Sequence, residues 1–312
     1  MLSRLAQNLY WHGRYLERAE DLARLINVNA NLNLDLPSGL KAGWHPLVRI
    51  TGNAPLYDEL HQDDASERAV MRFMLADERN HGSLKATLEY ARENLRSARD
   101  LLPREVWEQM NALYLKGNDE LTGNLSKRRR HEFLRETILD CQQVAGTLLG
   151  CMSQDHAYDF ILIGRYLERA DMTTRILEVR GHDLMPESSD ELGPYESIQW
   201  MSVLKSMTGY QMYRRHVRTR VSGNDVLRFL LRDEQFPRSV MFCLRVLEDL
   251  LSGLPGEDDQ ALRIVTRLQR MINETKLAGL RGEALSQLMD DLQVELASAD
   301  DIIRQTWFGV EQ

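Results

Sequence analysis

The heptapeptide GRYLERA stands at residues 13–19 and recurs, letter for letter, at residues 164–170. Each copy lies in a long segment whose apolar and small residues recur every three or four positions, which is the period of an amphipathic helix. In the first segment these positions are Leu5, Leu9, His12, Leu16, Ala19, Ala23 and Ile26. The sequence therefore predicts two long helices, each with one buried stripe and each containing the same charged heptapeptide.

Composition places the chain among ordinary globular proteins, with 312 residues of which 43% are hydrophobic and 28% charged. The sequence has neither a signal peptide pattern nor an apolar run long enough to span a bilayer. Its three cysteines lack metal-ligand spacing and suit a reducing compartment. We expect a cytoplasmic protein without membrane association, and the net charge of -8 gives no global reason to bind nucleic acid.

The repeat extends beyond GRYLERA. WHPLVRITG at residues 44–52 resembles WMSVLKSMTG at residues 200–209, and VMRFMLADERNHGS at residues 70–83 resembles VLRFLLRDEQFPRS at residues 226–239. The paired segments keep their order, and strand-like alternation is absent. We predict an all-α protein, a single large helical bundle built from two pseudo-symmetric repeats, residues 1–153 and 154–312.

The glycine of each GRYLERA copy lies inside a predicted helix. A mid-helix glycine is about 1 kcal/mol less favourable than alanine, so Gly13 and Gly164 are expected to permit a close approach of another backbone. The simplest arrangement is that the two helices cross each other at these glycines.

Such a crossing would gather two acids and four bases. The charged side chains expected there are Arg14, Glu17, Arg18, Arg165, Glu168 and Arg169. An excess of guanidinium groups attracts a carboxylate or phosphate, and a glutamate among them can act as a general acid or base. The alternative is structural, because buried Arg–Glu pairs also fix the geometry of a helix crossing. Within each helix, the Arg and Glu three residues apart can also pair.

Weaker candidates lie in the other repeated segments. Asp77 and Ser83, matched by Asp233 and Ser239, suit a cation or an amine, but such residues are foremost helix caps, and Pro237 suits a first helical turn. Two basic stretches, residues 127–131 and 210–220, suit a polyanion or a solvated helix face. Metal, nucleotide and serine-hydrolase motifs are absent, so no metal or cofactor is expected.

Four stretches together resemble the alpha-E family of helical proteins with a Glu-Arg motif. They are MLSRLAQNLYWHGRYLERAEDLAR at the start, FILIGRYLERADMTTR, LEYARENLRSAR and FLLRDEQFPRS. The motif falls on Glu17 with Arg18 and on Glu168 with Arg169. The resemblance covers nearly the whole chain and implies a partner, a circularly permuted ATP-grasp protein that forms amide bonds, often with a transglutaminase-like peptidase nearby.

Three functions are therefore open. The chain is an accessory partner of an ATP-grasp amide ligase whose Glu/Arg cluster recognises an anion, an enzyme using Glu17 or Glu168 as acid or base, or a structural interaction scaffold.

Overall fold

The computed structural model describes residues 3–36, 42–62, 64–123, 125–184, 193–256 and 259–309. Over these residues the chain forms fourteen α-helices and one 3-10 helix, and no strand. The predicted all-α class is confirmed. The chain divides into two compact units, the first with residues 1–30, 43–168 and 307–309, and the second with residues 31–42, 169–306 and 310–312.

The first unit contains most of α1 (Ser3–Asp35) and the first part of α8 (His156–Leu184). Between them come α2 (His45–Ile50), α3 (Ala54–His61), α4 (Glu67–Ala76), α5 (Leu84–Ser97), a 3-10 turn (Arg99–Leu101), α6 (Arg104–Leu121) and α7 (Lys127–Cys151). Helix α6 packs against both α5 and α7. Each of these three helices buries the apolar side of an amphipathic pattern, so the unit has a continuous core.

The second unit contains the remainder of α8 and most of α14 (Gly282–Phe308). Between them come α9 (Gly193–Ser206), α10 (Tyr210–His216), α11 (Gly223–Arg232), α12 (Val240–Gly253) and α13 (Gln260–Glu274). Helix α12 packs against α11 and α13. The two compact units do not coincide with the predicted repeats, residues 1–153 and 154–312. A sequence repeat need not match a compact unit, so the two repeats stay a prediction.

Helix α1 is buried on almost every side, whereas its sequence pattern predicted one buried stripe. Between Leu9 and Asn27 only Trp11, Tyr15 and Arg18 are partly exposed. These three residues, spaced by four and three, form a single outward-facing stripe. The apolar periodicity missed this because many of the buried positions carry charged side chains.

The two GRYLERA glycines contact each other's helix backbone, as predicted. A Cβ added to Gly13 would lie 2.1 Å from the carbonyl oxygen of Ile161, and one added to Gly164 would lie 2.1 Å from that of Tyr10. Neither position has room for a methyl group. The helices α1 and α8 therefore cross at this point, inside the first unit.

We predict that Gly13→Ala or Gly164→Ala destabilises the protein by at least about 3 kcal/mol or prevents folding, because the new methyl group would meet rigid backbone. The measurement is urea denaturation followed by circular dichroism. Gly146→Ala in α7 is the matched control, since nothing lies within 4 Å of its added Cβ. It should stabilise the helix by up to about 1 kcal/mol. A Gly13→Ala protein as stable as the parent would contradict the close crossing.

Candidate functional site

Two arginines of α1 bind one glutamate of α8 beside the glycine crossing. Arg14 donates from Nε to Glu168 Oε2 at 2.7 Å. Arg18 donates from Nε to Glu168 Oε1 at 2.6 Å and from Nη2 to Oε2 at 2.9 Å. Both carboxylate oxygens are therefore occupied, one of them twice. The Glu168 side chain is 1% exposed, Arg14 10% and Arg18 29%.

A second ion pair crosses the interface in the opposite direction. Arg165 of α8 donates from Nε to Glu17 Oε2 of α1 at 3.0 Å, and the Glu17 side chain is 1% exposed. Each GRYLERA copy thus supplies a glutamate to an arginine of the other copy. The structure brings together five of the six charged residues that the sequence predicted at the crossing, and the pairs described here run between helices.

The carboxyl group of Glu168 stays ionised at any ordinary pH. Burial acts to raise its pKa, but the charges of Arg18 and Arg14 and their hydrogen bonds outweigh burial and hold the pKa at about 2. A general acid or base works best with a pKa near the working pH. The geometry therefore gives no support to acid–base chemistry by Glu168.

A further buried charge cluster lies one turn along α1, and sequence reasoning did not assign it to the site. Arg24 pairs with Glu20 and, at 3.4 Å, with Asp21. Gln142 of α7 donates to Glu20 Oε1 at 3.1 Å. The repeat itself carried a signal, since the second copy also has an acid and an arginine four residues apart, Asp171 and Arg175, at the matching places.

The buried charges along this part of the first unit balance one another. The predicted surplus of guanidinium groups at the crossing is reduced, because Glu20 and Asp21 contribute two carboxylates against the one arginine, Arg24. In the described ion pairs of this region, four arginines meet four carboxylates: Arg14, Arg18, Arg24 and Arg165 with Glu17, Glu20, Asp21 and Glu168. Charge alone thus gives little reason for an anion to enter.

The sixth predicted residue, Arg169, belongs to the second unit. Its Nη1 donates to the carbonyl oxygen of Pro237 at 3.3 Å. In the next turn of α8, Thr173 donates from Oγ1 to the carbonyl oxygen of Arg238 at 3.1 Å. These hydrogen bonds tie α8 to the loop before α12.

The secondary candidates in the first unit take structural roles. Asp77 accepts from the Arg79 guanidinium at 2.8 Å and from the backbone N–H of Arg79 at 3.0 Å, and these hydrogen bonds lower the pKa of Asp77. Ser83 is the N-cap of α5, its Oγ accepting from the N–H of Ala86 at 3.4 Å. Helix capping, the alternative raised from the sequence, explains Ser83 without a ligand.

The secondary candidates in the second unit are arranged similarly. Asp233 Oδ1 accepts from the N–H groups of Gln235 and Phe236, at 2.9 and 2.7 Å. Ser239 is the N-cap of α12, accepting from the N–H of Phe242 at 3.1 Å. The expectation that Pro237 lies in a first helical turn is wrong, because α12 begins at Val240.

The two basic stretches differ in how their charges are used. At residues 127–130 each cation meets a carboxylate, the pairs being Lys127–Glu67, Arg128–Glu132, Arg129–Glu120 and Arg130–Glu67. That stretch is a solvated helix face of the expected kind. In the stretch at residues 210–220, by contrast, all four arginines are exposed and none is paired with a described carboxylate.

Two general features of the described residues bear on function. They contain no group of three or more His, Cys, Asp or Glu side chains placed to hold a metal ion. Across the same residues, no helix combines the length and the apolar character needed to cross a membrane.

Comparison with known proteins identifies the family. The model of the alpha-E family, described as a predicted alpha-helical domain with a conserved ER motif, matches residues 1–308, and the chain belongs to this family. Uncharacterised proteins of Mycobacterium bovis and Mycobacterium tuberculosis are 24% identical to it over 97% of its length. The chain spans only 36% of the length of these relatives. No solved structure matches it significantly.

His12 is the polar residue in the predicted apolar stripe, and it is fully buried. Its Nδ1 lies 2.9 Å from the carbonyl oxygen of Ala91 in α5, which makes Nδ1–H the donor and leaves Nε2 unprotonated. Burial lowers the pKa of His12 from 6.5 to about 4, although the hydrogen bond to Ala91 acts in the opposite direction. The imidazole is therefore neutral in the folded protein.

We predict that the protein loses stability between pH 7 and pH 5 because of His12. In the unfolded chain His12 binds a proton near pH 6.5, whereas in the folded chain it binds one only near pH 4. The free energy of unfolding therefore falls as the pH falls. The expected loss between pH 7 and pH 5 is about 2 kcal/mol. Loss of the Glu168 ion pairs, with a pKa of about 2 against 4.5, belongs to the window below pH 4.5.

Urea denaturation of the parent and of His12→Asn at pH 7 and pH 5 measures the effect. Asparagine keeps an N–H donor for the Ala91 carbonyl but does not titrate. The variant should lose most of the pH dependence, whereas the control His131→Asn, at an exposed position, should keep it. An unchanged pH dependence in His12→Asn contradicts the assignment.

Proposed function

We propose that this alpha-E protein is a non-catalytic partner of a circularly permuted ATP-grasp amide ligase in peptide or amide synthesis or modification. The observation that carries the proposal is the length of its relatives. In the mycobacterial proteins, the region similar to this chain makes up 36% of the polypeptide, so it works while joined to other sequence. We therefore expect the alpha-E region of this protein to act together with a further protein or domain, as it does with the adjoining sequence in these relatives.

The identity of that partner comes from the family resemblance, which implies an ATP-grasp protein and, as a further partner, a transglutaminase-like peptidase. The geometry supports the non-catalytic half of the proposal. Both oxygens of Glu168 are taken by arginines, and its low pKa leaves it no proton to transfer at neutral pH. The Glu-Arg motif thus acts as a lock that holds two helices together.

Anion recognition by the cluster is the second candidate function, and one observation favours it. Arg18 is 29% exposed and uses Nε and Nη2 for Glu168, so its Nη1 has no hydrogen-bond partner among the residues that the structure describes. This nitrogen could bind one oxygen of a carboxylate or phosphate on a substrate or partner. Arg165, whose side chain is 23% exposed, uses only its Nε for Glu17 among the described hydrogen bonds, so its remaining N–H groups could add to the same site.

A cytoplasmic location is part of the proposal. Cys141, Cys151 and Cys243 are all free, and free cysteines suit a reducing compartment. Burial raises the pKa of the Cys141 thiol well above its usual value, so this thiol is not a nucleophile. The proposed ligase consumes ATP, which is also available there.

The decisive experiment is amide ligation by the purified ATP-grasp protein with and without this chain. We predict that the two proteins co-purify, that the chain alone is inert, and that adding it raises ligation by about tenfold or more, a free-energy effect of about 1.4 kcal/mol. Turnover by the chain alone would establish an enzyme instead. Binding without any change in ligation would establish a structural scaffold.

The variant Arg18→Lys distinguishes the structural role of the Arg18–Glu168 ion pair from anion recognition by Arg18. Lysine keeps the charge but not the bidentate geometry, so a loss of ligation by about tenfold with a modest loss of stability supports anion recognition. Full ligation activity in a folded Arg18→Lys protein removes that second candidate and leaves the partner role standing.

A further inference from the structure

An unusual density of free positive charge lies on the second unit, at the end of α10 and in the segment that follows it. Arg214 and Arg215 belong to α10, and Arg218 and Arg220 belong to the segment leading to α11. All four side chains are exposed. Among the described residues, no carboxylate pairs with any of the four. We call these four residues the arginine patch.

The acids nearest to the arginine patch in the sequence are committed to other groups. Asp225 accepts from the hydroxyl of Ser222 at 2.8 Å and pairs with Arg228. Asp233 accepts from backbone N–H groups and lies 3.0 Å from Nδ1 of His216. The patch therefore has no counter-charge from its own loop or from the start and end of α11.

The clustering of these four arginines sets them apart from other arginines on the surface. Some exposed arginines on other helices meet a carboxylate, as in the pairs Arg104–Glu108, Arg128–Glu132, Arg245–Glu234 and Arg267–Glu295. Others, such as Arg68, Arg135 and Arg270, have no described carboxylate partner, but these three lie far apart along the chain. The chain is acidic overall, with 47 acidic and 39 basic residues. Even so, the four guanidinium groups within seven residues repel one another, and no described carboxylate offsets this repulsion. Such a surface is stabilised by an external anion.

The shape and composition of the patch favour an acidic polypeptide over nucleic acid. Residues 214–220 span at most about 20 Å, which is longer than a single phosphate or carboxylate. Recognition of single-stranded nucleic acid relies on exposed rings for base stacking, but of the two tyrosines beside the patch Tyr213 is fully buried and Tyr210 is only partly exposed. The net charge of -8 also disfavours a long polyanion that runs past the patch over the remaining surface.

We infer that the arginine patch is a docking surface for an acidic segment of the partner protein, whose carboxylates pair with Arg214, Arg215, Arg218 and Arg220. This inference rests on the proposed partner role. Guanidinium groups bind carboxylates in a bidentate manner, and several pairs along an extended segment give a salt-sensitive contact.

The test uses a fluorescein-labelled peptide of alternating glutamate and serine, measured by fluorescence anisotropy with the full chain. The patch variant carries Arg→Gln at all four positions. The control variant carries Arg→Gln at Arg104, Arg128, Arg245 and Arg267, so it loses the same four charges from exposed, paired positions. The expected result is a loss of affinity of about tenfold or more in the patch variant and of less than about twofold in the control.

Three results would overturn the inference: no binding of the peptide to the parent, equal losses in the two variants, or tighter binding of an oligothymidylate of equal charge. If the patch variant does not fold, Arg218→Gln with Arg220→Gln, which leaves α10 unchanged, should still weaken binding by several-fold.

Co-purification with the ATP-grasp protein separates this inference from the proposed function. If the parent and the control variant bind the ligase and the patch variant does not, both proposals are supported. If all three bind it equally, the partner role stands and the docking surface is wrong. If the parent does not bind the ligase, the partner role fails, and the docking surface, which is defined by that partner, fails with it even where the peptide binds.

Discussion

The backbone contact between α1 and α8 at Gly13 and Gly164 is the constraint on which the first unit depends. Two helices that meet with no side chain between them bring their flanking residues within reach of each other. Those residues are charged, and the contact removes them from water, so each must find a partner of opposite charge. Glu168 accepts Arg14 and Arg18, and Glu17 accepts Arg165. The repeated heptapeptide is thus a reciprocal lock, in which each copy supplies what the other requires.

This lock changes how the family motif is understood. Two glutamates surrounded by arginines are an arrangement common to active sites and to buried structural networks, and perturbed pKa values occur in both. Here both oxygens of Glu168 are taken by arginines, and the charges along α1 are balanced by Glu20 and Asp21 against Arg24. Functional contacts are therefore expected at Nη1 of Arg18, which has no described hydrogen-bond partner, and at the unpaired charges of the arginine patch.

Much of this could be predicted from the sequence, and the rest could not for physical reasons. Periodicity predicted the helices, and the mid-helix glycines predicted the crossing, because a costly residue at a defined position implies a close neighbour. Periodicity failed for α1, because a buried ion pair such as Glu20–Arg24 has the sequence pattern of a solvated helix face. The partners of Glu17 and Glu168 could not be assigned from the sequence either, because an arginine three residues before each glutamate allows pairing within the helix as well as pairing between the two helices. Pro237 was misplaced because helix boundaries are set by capping, here by Ser239.

The most direct measurement of the lock is a double-mutant cycle between Arg18 and Glu168. The free energy of unfolding is measured for the parent, Arg18→Gln, Glu168→Gln and the double variant, beside the same cycle for the exposed pair Arg104 and Glu108. We predict a coupling of at least about 1.5 kcal/mol for Arg18 with Glu168 and below about 0.5 kcal/mol for the exposed pair. Additive effects at Arg18 and Glu168, as in two unconnected surface residues, would contradict this prediction.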